Sequence, residues 1–151
     1  MNIFKKILNY KKLTSTYAVG LIQAKAYRVL KQKTNLLLKP YHLTTVEWAL
    51  LGILFENPDG ETLTDLAEAL GVKGPFVTRL ASALTKKDLV VVRKSMQDSR
   101  VRTITLTDKG KKLVVHIENS LRKESKTWIR GVSVRDLVSY MRVLNVIISN
   151  E

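Results

Sequence analysis

Between Leu89 and Thr107 the chain switches from helical periodicity to alternation and back, and that interruption constrains the fold more than any other feature. The β-branched run Val90, Val91, Val92 favours an extended strand, as does the sequence Thr103, Ile104, Thr105, Leu106. Met96 to Arg100, between them, is polar, charged and turn-prone, so the two strands close as a β-hairpin. Most of the remaining chain has apolar residues three or four apart. The expected class is mainly α with one small β-hairpin.

Helical signals flank the hairpin on both sides. Leu13, Tyr17, Leu21, Ala24, Tyr27, Leu30 and Thr34 share one face of a long first helix that ends before Pro40. Thr44 with Glu47 forms a capping box, Leu43 and Trp48 form the hydrophobic staple around it, and the helix they open should run to about Glu56. Asn57-Pro58-Asp59-Gly60 is then a turn. Thr64 is the expected cap of a short helix carrying Leu66, Ala67 and Leu70, ended by a left-handed Gly71. Gly74 is the expected N-cap of the next, with Pro75 in its first position. Beyond the hairpin, Leu113, Ile117, Leu121 and Trp128 mark a long helix. Ser133 with Asp136 caps a final one, with Val132 and Leu137 as its staple.

Two short helices around a glycine turn, followed by a hairpin, make a winged helix-turn-helix. In the second of these helices Val77, Leu80, Ala81 and Leu84 form the buried stripe, which turns Phe76, Thr78, Arg79, Ser82 and Lys86 outward. A helix read by the DNA major groove needs such residues: Arg79 can hold a guanine edge or a phosphate, Thr78 and Ser82 can bond to either, and Phe76 can press on a thymine methyl. Lys73 and Gly74 stand at the positive start of the helix. On the hairpin, Arg93, Lys94 and Arg102 line the strands, Arg100 at the tip can enter the minor groove, and Asp98 can hold the tip in shape.

Charge agrees with a polyanionic partner. The formal net charge is +13, and it is segregated: residues 1–46 hold nine basic and no acidic side chains, whereas residues 47–71 hold six acidic and no basic ones. Residues 72–110 return to nine basic against three acidic. Such a field attracts a polyanion and speeds encounter with it, without by itself separating DNA from RNA or an anionic membrane.

Other classes are excluded by missing parts. The chain of 151 residues has no cysteine, so disulfides, cysteine-based zinc sites and thiol redox sensing are out, in keeping with a reducing cytoplasm. It has no apolar run of membrane-spanning length and no signal-peptide pattern after Lys5, Lys6, Lys11 and Lys12. Without a phosphate-cradling glycine loop, a nucleophile elbow or a metal-ligand cluster, and with only His42 and His116 as histidines, an enzyme is not expected, nor a cofactor or bound metal. A soluble cytoplasmic protein is the expectation.

These pieces together resemble the multiple antibiotic resistance regulator (MarR) family of winged-helix transcription factors, over essentially the whole chain. Leu63-Thr-Asp-Leu-Ala-Glu-Ala-Leu-Gly-Val72 looks like the family's first motif helix, and Val77-Thr-Arg-Leu80 like its recognition helix. Asp98-x-Arg100-x5-Leu106-Thr107 looks like its wing signature, and Asp108-Lys-Gly110 like the start of the helix after it. The resemblance implies a winged lobe at residues 44–107 and a helical dimerisation region at residues 10–38 and 108–150. Leu13, Tyr17, Leu137, Tyr140, Met141, Leu144 and Ile148 are the expected dimer contacts, since the terminal helix has an apolar face that a chain this short cannot cover. A two-fold dimer sets two recognition helices about one DNA turn apart, so the operator should be an inverted repeat; the expected role on it is that of a repressor. The resemblance further implies a cleft for a small aromatic or phenolic effector, to which Tyr41, His42 and Trp48 are assigned, with Tyr17 and Tyr27 as further candidates. A winged-helix dimer that is purely architectural, or that binds protein and answers to no ligand, is the alternative.

Departures from the family pattern are informative. Asp88 stands where many relatives have glycine, at a position that calls for a left-handed backbone which Asp tolerates. Val92 and Ser99 occupy positions where relatives often carry arginine. Arg93 and Lys94 take over part of that charge, and Arg100 is left to carry most of the minor-groove contact.

Overall fold

The computed structural model describes residues 16–94 and 102–150. Helix α1 is Thr16–Leu38, followed by a 3₁₀ turn at Lys39–Tyr41 that holds Pro40 near its start; helix α2 is Thr45–Glu56. A two-residue strand β1, Glu61–Thr62, leads into α3, Leu63–Leu70, and after Gly71 comes α4, Gly74–Lys86. Strands β2, Val90–Lys94, and β3, Arg102–Leu106, are followed by α5, Asp108–Trp128, and α6, Val134–Ser149. The chain divides into two compact units between Ile117 and Glu118, so that α5 belongs partly to each.

In the first unit α2 packs on α1, α3 and β3, and α4 packs on α3 and β2. Leu50, Leu51 and Leu54 of α2, Leu66 of α3 and Val77, Ala81 and Leu84 of α4 meet Val90, Ile104 and Leu106 of the sheet in the buried core. The start of α5 adds Val114 and Ile117. Of the expected α5 stripe only Ile117 is buried, while Leu113, Leu121 and Trp128 are half-buried. The expected α4 stripe holds, with Leu80 half-buried.

Chain reversals follow the local chemistry. Thr44 accepts the Glu47 amide while the Glu47 carboxylate accepts the Thr44 amide, so the expected capping box is formed. Gly60 donates back to the Asn57 carbonyl at φ +93°. No side chain fits there, because a Cβ would lie 2.7 Å from the Ile104 carbonyl oxygen. Gly71 ends α3 in the left-handed region, as expected.

Two caps differ from expectation. The α3 cap is Thr62, not Thr64: its hydroxyl accepts the Asp65 amide at 3.1 Å and donates to the Asp65 carboxylate at 2.6 Å. The threonine earlier in the chain wins because Asp65 sits three residues after it, the reciprocal spacing that a cap requires. Helix α4 opens one residue sooner than expected, with Lys73 in the N-cap position and Gly74 already helical.

The hairpin is present and is enlarged by a strand that periodicity could not reveal. β1 pairs antiparallel with β3 through Glu61 opposite Ile104 and Thr62 opposite Thr103, giving a three-stranded sheet in the order β1-β3-β2. Two residues are too few for a period-two signal. In the second unit, α6 begins with the expected reciprocal bonds between Ser133 and Asp136. No residue of α6 is buried.

Candidate nucleic-acid interface

The α4 helix presents its outward residues as the stripe requires. Thr78, Arg79, Ser82 and Lys86 are exposed, and so are Lys73 and Gly74 at its start. No side chain caps that end, and Pro75 has no amide hydrogen, so the Gly74 N–H and the positive helix terminus face solvent. Phe76 is half-buried rather than fully outward, and the Arg79 guanidinium lies 5.7 Å from the centre of its ring. This cation–π contact orients Arg79 along the helix surface. The Thr78 hydroxyl donates to the Gly74 carbonyl at 3.2 Å, which leaves its oxygen lone pairs outward.

The helix and the wing share a groove of about 330 Å³, lined by Thr78, Ala81, Ser82, Thr85 and Lys86 of α4, Val92 of β2, Arg102 of β3 and Leu63. Four of the expected contacts therefore lie on one concave surface. Thr85 was not singled out by the sequence; it lies one turn beyond Ala81, to whose carbonyl its hydroxyl donates at 2.8 Å.

On the wing, Lys94 and Arg102 are direct cross-strand partners, and Arg93 pairs with Thr103. Arg93, Lys94 and Arg102 are all exposed. Like charges opposite one another cost stability in a sheet. Asp98 and Arg100 lie outside the described residues.

A dense set of bonds fixes the turn that joins α4 to the wing. Asp88 adopts φ +58°, the left-handed conformation expected of it. The Thr107 hydroxyl donates to the Asp88 carbonyl at 2.8 Å and accepts the Gly110 amide at 3.0 Å. Lys109 donates to the Lys87 carbonyl at 2.8 Å. Gly110 packs so closely on the turn that a Cβ would strike the Leu89 carbonyl oxygen. Lys87 is spent internally: its amine donates to Glu47 Oε1 and to the His42 carbonyl, each at 2.7 Å.

Glu47 is buried, 5% exposed. Burial pushes its carboxyl up, but hydrogen bonds from Lys87 and from the Thr44 amide and hydroxyl outweigh that and hold it below the usual glutamate range. Nothing in the sequence spacing pointed to this pair, whose members are forty residues apart.

Of the three residues assigned to an effector cleft, Trp48 and His42 line different depressions. Trp48 lines a depression of about 380 Å³ together with Tyr27, Leu30, Thr34, Val46 and Leu70. His42 lines another, with Arg28, Lys31 and Lys39. Tyr41 is half-buried and meets His116 edge-on, ring centres 5.9 Å apart.

A family model described as the transcriptional regulator SarA/Rot matches residues 32–117, more than half of the chain. The protein belongs to the SarA/Rot family of transcriptional regulators. The likeness to solved winged-helix regulators extends over nearly all of it. MepR of Staphylococcus aureus, in a crystal structure of its DNA complex, is 28% identical with a TM-score of 0.75, over 90% of this chain and 98% of MepR. MepR in its DNA-binding conformation gives a TM-score of 0.78 at the same identity and coverage. BldR from Sulfolobus solfataricus shares the fold at 22% identity and TM-score 0.78, over 88% of this chain and 94% of its own. The MarR-type winged helix expected from the wing and motif helices is thus the fold of this regulator, and neither its family nor these neighbours are enzymes. No helix among the described residues is long and apolar enough to cross a membrane.

Proposed function

We propose that this SarA/Rot-family regulator binds double-stranded DNA sequence-specifically as a homodimer on an inverted-repeat operator and represses transcription from it. The observation that carries this reading is the shared groove of α4 and the wing, where Thr78, Ser82 and Lys86 face Arg102 beside its unbalanced partner Lys94. Hydroxyls and cations on one concave surface suit phosphates and base edges together. The likeness to MepR, solved on DNA, supports the same use of this surface. Homodimerisation is supported by α6, whose apolar side chains include Tyr140, Met141 and Ile148, at 49, 55 and 67% exposed. Tyr17 on α1 is also exposed, while Leu137 and Leu144 are half-buried and Leu13 lies outside the described residues. The winged lobe at residues 44–107 supplies recognition, and the helical segments at residues 10–38 and 108–150 supply assembly.

Relief by a small aromatic or phenolic effector is part of the proposal. The apolar depression around Tyr27, Leu30 and Trp48 lies where α1, α2 and the end of α3 meet, one short helix away from α4. An electrophoretic shift with the promoter region of its own gene tests the main reading: a sharp, salt-sensitive complex that resists random competitor DNA is expected. Equal affinity for random DNA would replace specific repression with an architectural role.

A further inference from the structure

We propose that Lys87 is a positioning residue for DNA recognition, setting the end of α4 against the α1–α2 junction through Glu47 and the His42 carbonyl; the inference rests on the DNA-binding reading above. Lys87 immediately follows the last residue of α4 and belongs to a basic part of the chain, where a lysine would ordinarily be counted as a phosphate contact. Its amine is used otherwise. It bridges two acceptors at 2.7 Å, one a buried carboxylate and one the carbonyl of a left-handed residue.

Both acceptors are themselves fixed. The second Glu47 oxygen accepts the Thr44 amide at 2.8 Å and the Thr44 hydroxyl at 2.9 Å, so the carboxylate is held by the first turn of α2. His42, at φ +52°, closes the 3₁₀ turn that ends α1. One ammonium group therefore ties the recognition helix to two other elements at their junction. On the opposite side Lys109 and Thr107 hold the backbone of the same turn from α5 and its approach. The N-terminal end of α4 has no side-chain cap, whereas its C-terminal end is held by these side-chain bonds.

An ion pair with one buried partner is a poor source of net stability but specifies one arrangement, since the buried charge tolerates few other partners. Removing Lys87 alone leaves the Glu47 charge buried, so the informative variant is the double Lys87→Met/Glu47→Gln, in which the neutral amide keeps the bonds to Thr44. It is compared with Lys87→Arg, which keeps the charge and its donors. Operator affinity is expected to fall about tenfold in the double variant, as for residues that couple without touching the ligand. Affinity for random DNA and the salt slope stay at wild-type values, and Lys87→Arg restores most of the operator affinity. A salt slope smaller by about 0.9 would make Lys87 a phosphate contact and overturn the inference, and so would unchanged operator affinity. Wild-type protein that fails to discriminate operator from random DNA would instead count against the functional reading. In that event amide exchange without DNA decides: the Asp88 and Leu89 amides, bonded to Thr85 and Leu84, exchange faster in the double variant if Lys87 positions the turn and at wild-type rate if it does not.

Discussion

Lys94 and Arg102 set up an opposition between stability and binding at the level of single side chains. Facing each other across β2 and β3, they repel in the free protein, at a cost of roughly 0.2–1 kcal/mol. Lys94→Ala should therefore raise the melting temperature slightly while weakening DNA binding and lowering the salt slope by about 0.9; a thermal melt and a salt titration of the same variant check both signs. Glu47 gives a prediction in pH. Its folded carboxyl lies below the usual range, so the stability it contributes is complete at neutral pH and is lost as pH falls through the ordinary glutamate range and below. Melts from neutral to acid pH should fall more steeply for wild type than for Glu47→Gln, and parallel curves would dismiss the effect. Legibility differed sharply between these residues. Lys86, Ser82 and Thr78 were readable because helical spacing alone decides which side of α4 they occupy. The pairing of Glu47 with Lys87 was not, because contact between residues far apart in sequence depends on how elements pack. Phe76 stood at the edge of the stripe, where spacing cannot separate half-buried from exposed.

For whole elements, capping geometry gives the clearest test. Thr62→Ala should destabilise the protein by about 1 kcal/mol through loss of the α3 cap, whereas Thr64→Ala, one position inside the helix, should change little; paired denaturant melts distinguish them. The boundaries of α2 and α6 were legible because threonine or serine is followed three residues on by an acid. The same spacing runs from Thr62 to Asp65, whereas the residue three on from the expected Thr64 is Ala67. Strand β1 escaped notice for another reason. Its existence depends on the Gly60 turn laying two residues along β3, a tertiary event that leaves no periodic trace. Gly110, by contrast, is read only in the structure as a point of close approach. Gly110→Ala should push α5 off the α4–β2 turn, destabilise by more than the ordinary 0.5–3 kcal/mol of a point change, and impair DNA binding with it, as melts and shifts would record.

The molecule as a whole pairs a lobe with a well-filled core and a terminal helix with no buried residue. An isolated chain would leave Val134, Val138, Met141 and Val146 in water around an open depression on α6. Ile148→Glu is expected to shift sedimentation toward monomer and to abolish operator binding while leaving the lobe's helical signal in place; a variant still dimeric and still binding would move the assembly contact elsewhere. That apolar surplus was visible in the sequence, since Leu137, Tyr140, Leu144 and Ile148 share one face that a chain this short was not expected to cover well. In the proposed homodimer α6 gains its burial from a second copy, so stability depends on concentration and the melting temperature should climb as the protein is made more concentrated. At low copy number a dimeric active species, as proposed, would grow as the square of the number of chains. On the proposed homodimer, the uncovered side of α6 would set a threshold in expression, below which the regulator is present and its target stays free.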